Sequence, residues 1–197
     1  MVSEAKANTG KLIVLSAPAG GGKDSIMEGL FSNEYKDVLC LSYSISATTR
    51  KSRAGEEDGK HYLFKSREEF EQLIEQGEFL EHTEYCGNYY GTLNKTVSSA
   101  LEAGKNLLLK IEAEGAENVK KAFPDSLLIF VLPPSVEELR RRLINRSTES
   151  EDVIELRIKK AESEFARAGN YDYRVVNDDL QRATAEVAKI IQENING

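Results

Sequence analysis

Apolar residues along this chain gather in short runs separated by amphipathic stretches. "KLIVLS" (11–16), "NLLLKIE" (106–112), "SLLIFVL" (126–132) and "YDYRVVN" (171–177) are too short for helices and rich in aliphatic side chains. Runs of this kind read as strands buried on both faces. Between them the apolar positions recur with helical spacing: from Ser25 to about Phe31, after 112, after 132, and near 179–195. Strands alternating with helices predict a parallel sheet covered on both sides.

The middle of the chain has a different texture. From "LCLSYSIS" through "KHYLF", "GEFLEHTEY" and "GNYYGT" the segments are short, alternating and rich in Tyr, Thr and Ser. One helix, "SREEFEQLIEQG", interrupts them and ends at Gly77. Residues 46–94 are therefore expected to form a small, mostly β insertion, leaving 11–45 and 95–197 as the α/β core. Residues 1–10 read as a flexible leader, and "NRSTESED" (145–152) as a polar loop between helices.

Composition narrows the class. The 197 residues carry 26 basic and 33 acidic side chains, a net charge of −7. That balance argues against a nucleic-acid or anionic-membrane surface, although a few placed arginines can still hold phosphate. No apolar run approaches the length needed to span a bilayer. Cys40 and Cys86 are far apart, which suits free thiols in a reducing compartment, and His61 and His82 have no metal-ligand spacing. A cytoplasmic protein is expected.

The chemistry begins at "SAPAGGGKDS". Strand, glycine loop and helix follow in the order of a phosphate-binding loop, G-x-x-x-x-G-K-[ST]. Gly20, Gly21 and Gly22 let successive N–H groups turn inward, and Lys23 adds charge for the outer phosphates. A glycine-rich turn that happens to precede a lysine is the competing explanation. Ala17 replaces the first glycine, tolerable if its φ is negative, and Asp24 replaces the magnesium-binding hydroxyl. Further on, Arg50 and Arg53 lie beside several hydroxyls, a set suited to dianionic phosphate. Glu81 could accept a purine's N–H donors while Thr92 reads its carbonyl. A solvated basic loop and a hairpin with packed tyrosines are the plainer alternatives.

Together with "SISATTRKSRAGEEDGKHY", "GNYYGT", "FVLPPSVEELRRRL", "NRSTES" and "YDYRVVNDDL", the loop makes the chain resemble the guanylate kinases from Lys11 to about Ile191. The resemblance implies a P-loop core, a GMP-binding insertion at 46–94 and a helical lid at about 137–168. It implies transfer of the terminal phosphoryl group of ATP to GMP, with Mg2+ accompanying ATP. It places Ser46, Arg50, Arg53, Tyr62 and Tyr90 on the GMP phosphate, Glu81 and Thr92 on guanine, and Glu112 at a second acidic position of the GMP site. Ala17, Pro18, Ala19, Gly20, Gly21, Gly22, Lys23, Asp24, Ser25 and Asn177 fall on the ATP side. Lys23, Arg50, Arg146 and Arg157 would surround the transferring group, with Arg142 a further basic position.

Four residues depart from the family pattern. Ala19 and Ser147 replace a serine and a glycine, Asp24 a small or hydroxylated residue, and Lys110 an Asp or Glu. The last two are expected to form a charge-swapped salt bridge. Asp24 then either ligates magnesium, sustaining catalysis, or repels phosphate and slows it. A non-catalytic relative that binds a nucleotide or phosphopeptide is the alternative. The bulk sequence leaves the oligomeric state open.

Overall fold

The computed structural model describes residues 9–32, 34–85, 87–146 and 151–195. Most of the expected leader, Cys86 and Ser147 lie outside the described residues, as does the side chain of Arg146. The first sheet contains β1 (Leu12–Ser16), β2 (Leu41–Tyr43), β7 (Asn106–Lys110), β8 (Leu127–Leu132) and β9 (Tyr173–Val176). Their order is β2-β7-β1-β8-β9, and every pairing is parallel.

Alternation along the central strand explains the layering. Ile13 and Leu15 face one layer, where α1 (Lys23–Leu30) and α7 (Leu180–Ile195) supply Ile26, Leu30, Val187 and Ile191. Leu12 and Val14 face the other, against Val97 of α3 (Asn94–Glu102) and Ala116 and Val119 of α4 (Ala113–Ala122). All are almost fully buried, as the unbroken apolar runs require. Adjacent strands β1 and β8 send their chains in opposite directions, β1 toward β2 and β8 toward β9. A crevice at the carboxyl ends of strands that part in this way is where open α/β sheets bind ligands.

The second sheet has the order β4-β3-β6-β5 and comprises β3 (Ala47–Thr48), β4 (Leu63–Phe64), β5 (Phe79–Tyr85) and β6 (Asn88–Leu93). Its helix α2 (Arg67–Glu75) opens with a capping box, Ser66 and Glu69 each bonding the other's backbone N–H. Phe70 of α2 stacks on Phe79 and Tyr89, which fixes the helix to the hairpin. The strands of this unit run from Ala47 to Leu93. A third apolar cluster joins α5 (Val136–Arg146) to α6 (Glu151–Arg167) through Leu139, Leu143, Ile154 and Ile158. No helix among the described residues is long and apolar enough to cross a membrane.

Candidate active site

The glycine loop has the geometry its sequence predicts. Gly20 and Gly22 take φ of 85° and 94°, values that strain any residue with a Cβ. Gly21 N–H donates to the Pro18 carbonyl at 2.8 Å, closing the turn. Gly22 caps α1 without a side-chain bond, so the first N–H groups of the helix face outward toward any incoming anion. Cys40 is the only non-glycine residue with positive φ among those described, so Ala17 fits its place without strain. Helix α1 begins at Lys23, two residues before the apolar pattern marks it.

The loop fronts two cavities. One, of about 190 Å³, is bounded by Lys23 and Asp24 from the loop, Ser46, Tyr62, Glu81 and Tyr90 from the insertion, and Lys110 and Glu112 from the end of β7. The other, of about 480 Å³, is bounded by Gly20, Gly22 and Ser25, by Arg141, Arg142 and Asn145 of α5, and by Asn177 and Asp178.

In the smaller cavity charges pair crosswise. Lys23 Nζ lies 3.1 Å from Glu112 Oε1, and Lys110 Nζ lies 2.7 Å from Asp24 Oδ1. Two neighbouring residues of α1 are thus tied to Lys110, which ends β7, and Glu112, which caps α4. The charge-swapped bridge expected from the sequence is formed. Burial opposes the Lys110 charge, but Tyr43 and Asp24 beside it more than compensate and hold its pKa above the ordinary lysine value.

Glu81 lies deeper, 5% exposed, and Thr92 Oγ1 donates to its Oε1 at 2.7 Å. Burial pushes the Glu81 carboxyl up to about 7, with the Thr92 bonds pulling the other way. Gly115, in the first turn of α4, makes room for it, since a Cβ there would come within 2.5 Å of Glu81 Oε2. Thr92 is fully buried and its proton is committed to Glu81, so in this state it orients the carboxylate.

Arg50 and Arg53 of the insertion do not line the smaller cavity. Arg50 forks onto Glu56, Nη1 to Oε2 at 3.0 Å and Nη2 to Oε1 at 2.8 Å, with its guanidinium 5.2 Å from the centre of the Tyr62 ring. That fork, and the Arg53 N–H donated to the same carboxylate, hold Glu56 down at about 2. Arg53 itself is exposed. Of the two arginines expected on a lid, Arg146 ends α5 and Arg157 is half-buried on α6.

Beside the larger cavity, Asn177 is 5% exposed and its Nδ2 donates to the Gly21 carbonyl at 3.0 Å. It borders the larger cavity while its amide braces the loop, a role the sequence does not reveal. Arg142 donates to Glu138 and to the Asn177 carbonyl, at 2.8 and 2.9 Å. Sequence reasoning also misses Glu164, 6% exposed on α6. Burial and the ionised Glu112 beside it push Glu164 up to about 8, while Lys23 helps keep Glu112 charged. In "AESEFARAG" Glu164 is one more acid on a charged helix, and only the packing singles it out.

For a divalent ion the donor set is thin, with no group of three or more His, Cys, Asp and Glu able to hold a metal among the described residues. A magnesium ion brought in on nucleotide phosphates needs only one or two protein carboxylates, and Asp24, about half exposed at the mouth of the loop, fits that requirement.

Comparison with known proteins agrees with this geometry. Residues 9–194 match the family model for guanylate kinase. A guanylate kinase of Desulfitobacterium hafniense (strain Y51) is 47% identical over 184 residues, covering 93% of this chain and 90% of the relative. One from Lactococcus lactis subsp. lactis (strain IL1403) is 46% identical over 183 residues, covering 93% and 87%. The crystal structure of guanylate kinase from Anaplasma phagocytophilum superposes with a TM-score of 0.77 at 32% identity, covering 96% of this chain and 88% of that one. A glycine loop at a helix N-terminus, set between two cavities in a chain this close to those enzymes over nearly its whole length, leaves one conclusion: the chain belongs to the guanylate kinase family.

Proposed function

We propose that the protein transfers the terminal phosphoryl group of ATP to GMP, giving ADP and GDP. The observation that carries this is the loop's double frontage: residues 20, 22 and 25 border one cavity while 23 and 24 border the other. Direct transfer between two nucleotides needs both bound on either side of one phosphate-holding element.

In this reading the larger cavity takes the donor. The α1 N-terminus and Lys23 hold its phosphates, and Arg142 and Asn177 border its site. The smaller cavity takes the acceptor, with Ser46, Tyr62 and Tyr90 presenting hydroxyls to its phosphate. Arg50 and Arg53 join them once Arg50 exchanges Glu56 for the more highly charged phosphate. Glu81, steadied by Thr92, accepts the guanine N–H donors, and Glu112 orients Lys23. The lid formed by α5 and α6 carries Arg146 and Arg157 toward the transferring group and excludes water. Mg2+, arriving with ATP and meeting Asp24, would neutralise phosphate charge.

A coupled-enzyme assay of ADP formation with ATP, Mg2+ and GMP tests this, with AMP, dGMP and IMP as competing acceptors. Turnover in the ordinary enzyme range of about 1–1,000 per second with GMP, and far less with AMP, is expected. Absence of GMP-dependent ADP formation would refute it.

A further inference from the structure

Lys110 stands where the family resemblance provides an acid, so no inherited role accounts for it. It closes β7, paired in register with Leu15 one residue before the end of β1, which sets it beside the glycine loop. Its side chain is 21% exposed and borders the smaller cavity together with the hydroxyl-bearing Ser46, Tyr62 and Tyr90. An ammonium has three N–H donors. Asp24 takes one at 2.7 Å, and the Tyr43 phenol lies beside the same charge. The group is a cation on the wall of a cavity furnished with hydroxyls, a combination that suits an anion. The two partners of the bridge are unequal. Asp24 is 52% exposed against 21% for Lys110, so the carboxylate can turn toward water or a nucleotide-borne cation at little cost, while the ammonium stays where the strand holds it.

We propose that Lys110 is a ligand of the acceptor's phosphate, with Asp24 as the counter-charge that keeps it in place until the phosphate arrives. The proposal rests on the acceptor reading of the smaller cavity given above. A dianionic phosphate offers more charge and more acceptor oxygens than a single carboxylate, so it competes effectively for the ammonium. The substitution of Lys110 for an acid thereby strengthens the acceptor site's grip on phosphate, and Asp24 keeps the empty cavity from holding an unpaired positive charge.

The test is calorimetric titration of GMP and of guanosine, which lacks the phosphate, into wild type, Lys110→Met, Lys110→Arg and Asp24→Asn without ATP or Mg2+. Lys110→Met is expected to weaken GMP about tenfold and guanosine less than twofold, from the loss of one charge-assisted bond. Lys110→Arg keeps GMP within a few-fold of wild type. Asp24→Asn removes the competing charge and tightens GMP about threefold, with guanosine unchanged. Equal losses for both ligands in Lys110→Met would assign Lys110 to the nucleoside and overturn the proposal; unchanged GMP affinity would make it a structural residue and overturn it too. If Lys110→Met does not fold, Asp24→Asn decides, and GMP binding that is unaltered or weaker there sinks the idea. Wild type that binds no GMP refutes the acceptor reading itself, whereas normal GMP turnover with a phosphate-indifferent Lys110 refutes this inference alone.

Discussion

Glu81 makes the protein's stability and its acceptor binding respond to pH in opposite directions. Raising a buried carboxyl from 4.5 to about 7 corresponds to about 3 kcal/mol at 1.36 kcal/mol for each pH unit. Between those two values the folded protein keeps a proton that the unfolded chain has released. Stability from this group is therefore fully present below pH 4.5 and is lost as pH rises through 7. Glu81→Gln has nearly the same shape and cannot ionise. Urea denaturation of both proteins without nucleotide, at pH 5, 6, 7 and 8, isolates the effect. The stability gap is expected to move in favour of Glu81→Gln by about 2.5 kcal/mol across the series, most of it by pH 7. Base binding runs the other way, because a carboxylate that accepts guanine N–H donors must lose its proton first. Guanosine, free of the phosphate's own titration, should bind about tenfold more tightly for each pH unit gained below 7 and level off above it. Parallel stability curves for the two proteins would refute the reasoning at its base.

Three substitutions probe other joints of the site. Gly22→Ala forces a Cβ into a φ of 94° and to within 2.1 Å of Asn177 Nδ2; it should cost at least about 1 kcal/mol, seen as a lower melting temperature, and nearly abolish turnover. Gly115→Ala meets the Glu81 carboxylate at 2.5 Å, so it should raise the acceptor KM about tenfold or more while the ATP KM changes little, a split read from steady-state kinetics. Asp24→Ser, Lys110→Met and the double variant form a cycle of urea denaturations in which a coupling of about 0.5–1 kcal/mol is expected, small because Asp24 is half exposed. A coupling of zero would mean that the bridge contributes nothing to the empty protein.

Strands buried on both faces were legible because they must be apolar throughout, as "LIVLS" and "LLIFVL" are. β2 was not legible as a member of the same sheet: it is three residues long, lies at the edge, and buries only Leu41. The start of α1 was hidden because its cap is a glycine and its first two residues are charged. Within the site, the glycine loop carries its own conformational demand, and opposite charges at 24 and 110 announced their pairing through the topology that a P-loop core imposes. The Asn177 bond to the Gly21 carbonyl spans 156 positions of chain, and Glu164 gains its perturbed proton only from packing beside Glu112. Local pattern carries no trace of either. Arg50 was legible as a phosphate ligand candidate, but its hold on Glu56 depends on how the loop between them folds back.

The acidity of the chain, which at first argues against a polyanion partner, is compatible with phosphate binding because the cations at the site are kept paired. Lys23 rests on Glu112, Lys110 on Asp24, Arg50 on Glu56 and Arg142 on Glu138. Left bare, Lys23, Lys110 and Arg142, which border the two cavities, and Arg50 beside Tyr62 would repel one another and bear the desolvation of partial burial without compensation. A carboxylate beside each removes that cost in the empty protein and fixes the side chain near its working position. In the function proposed above, Glu56 and Asp24 yield when phosphate binds, so binding there becomes an exchange of one anion for another. What the phosphates gain is the difference between their own charge and that of a single carboxylate, together with a geometry already prepared. Such an exchange moderates affinity for each nucleotide alone, since the ion pairs must be broken or shared first.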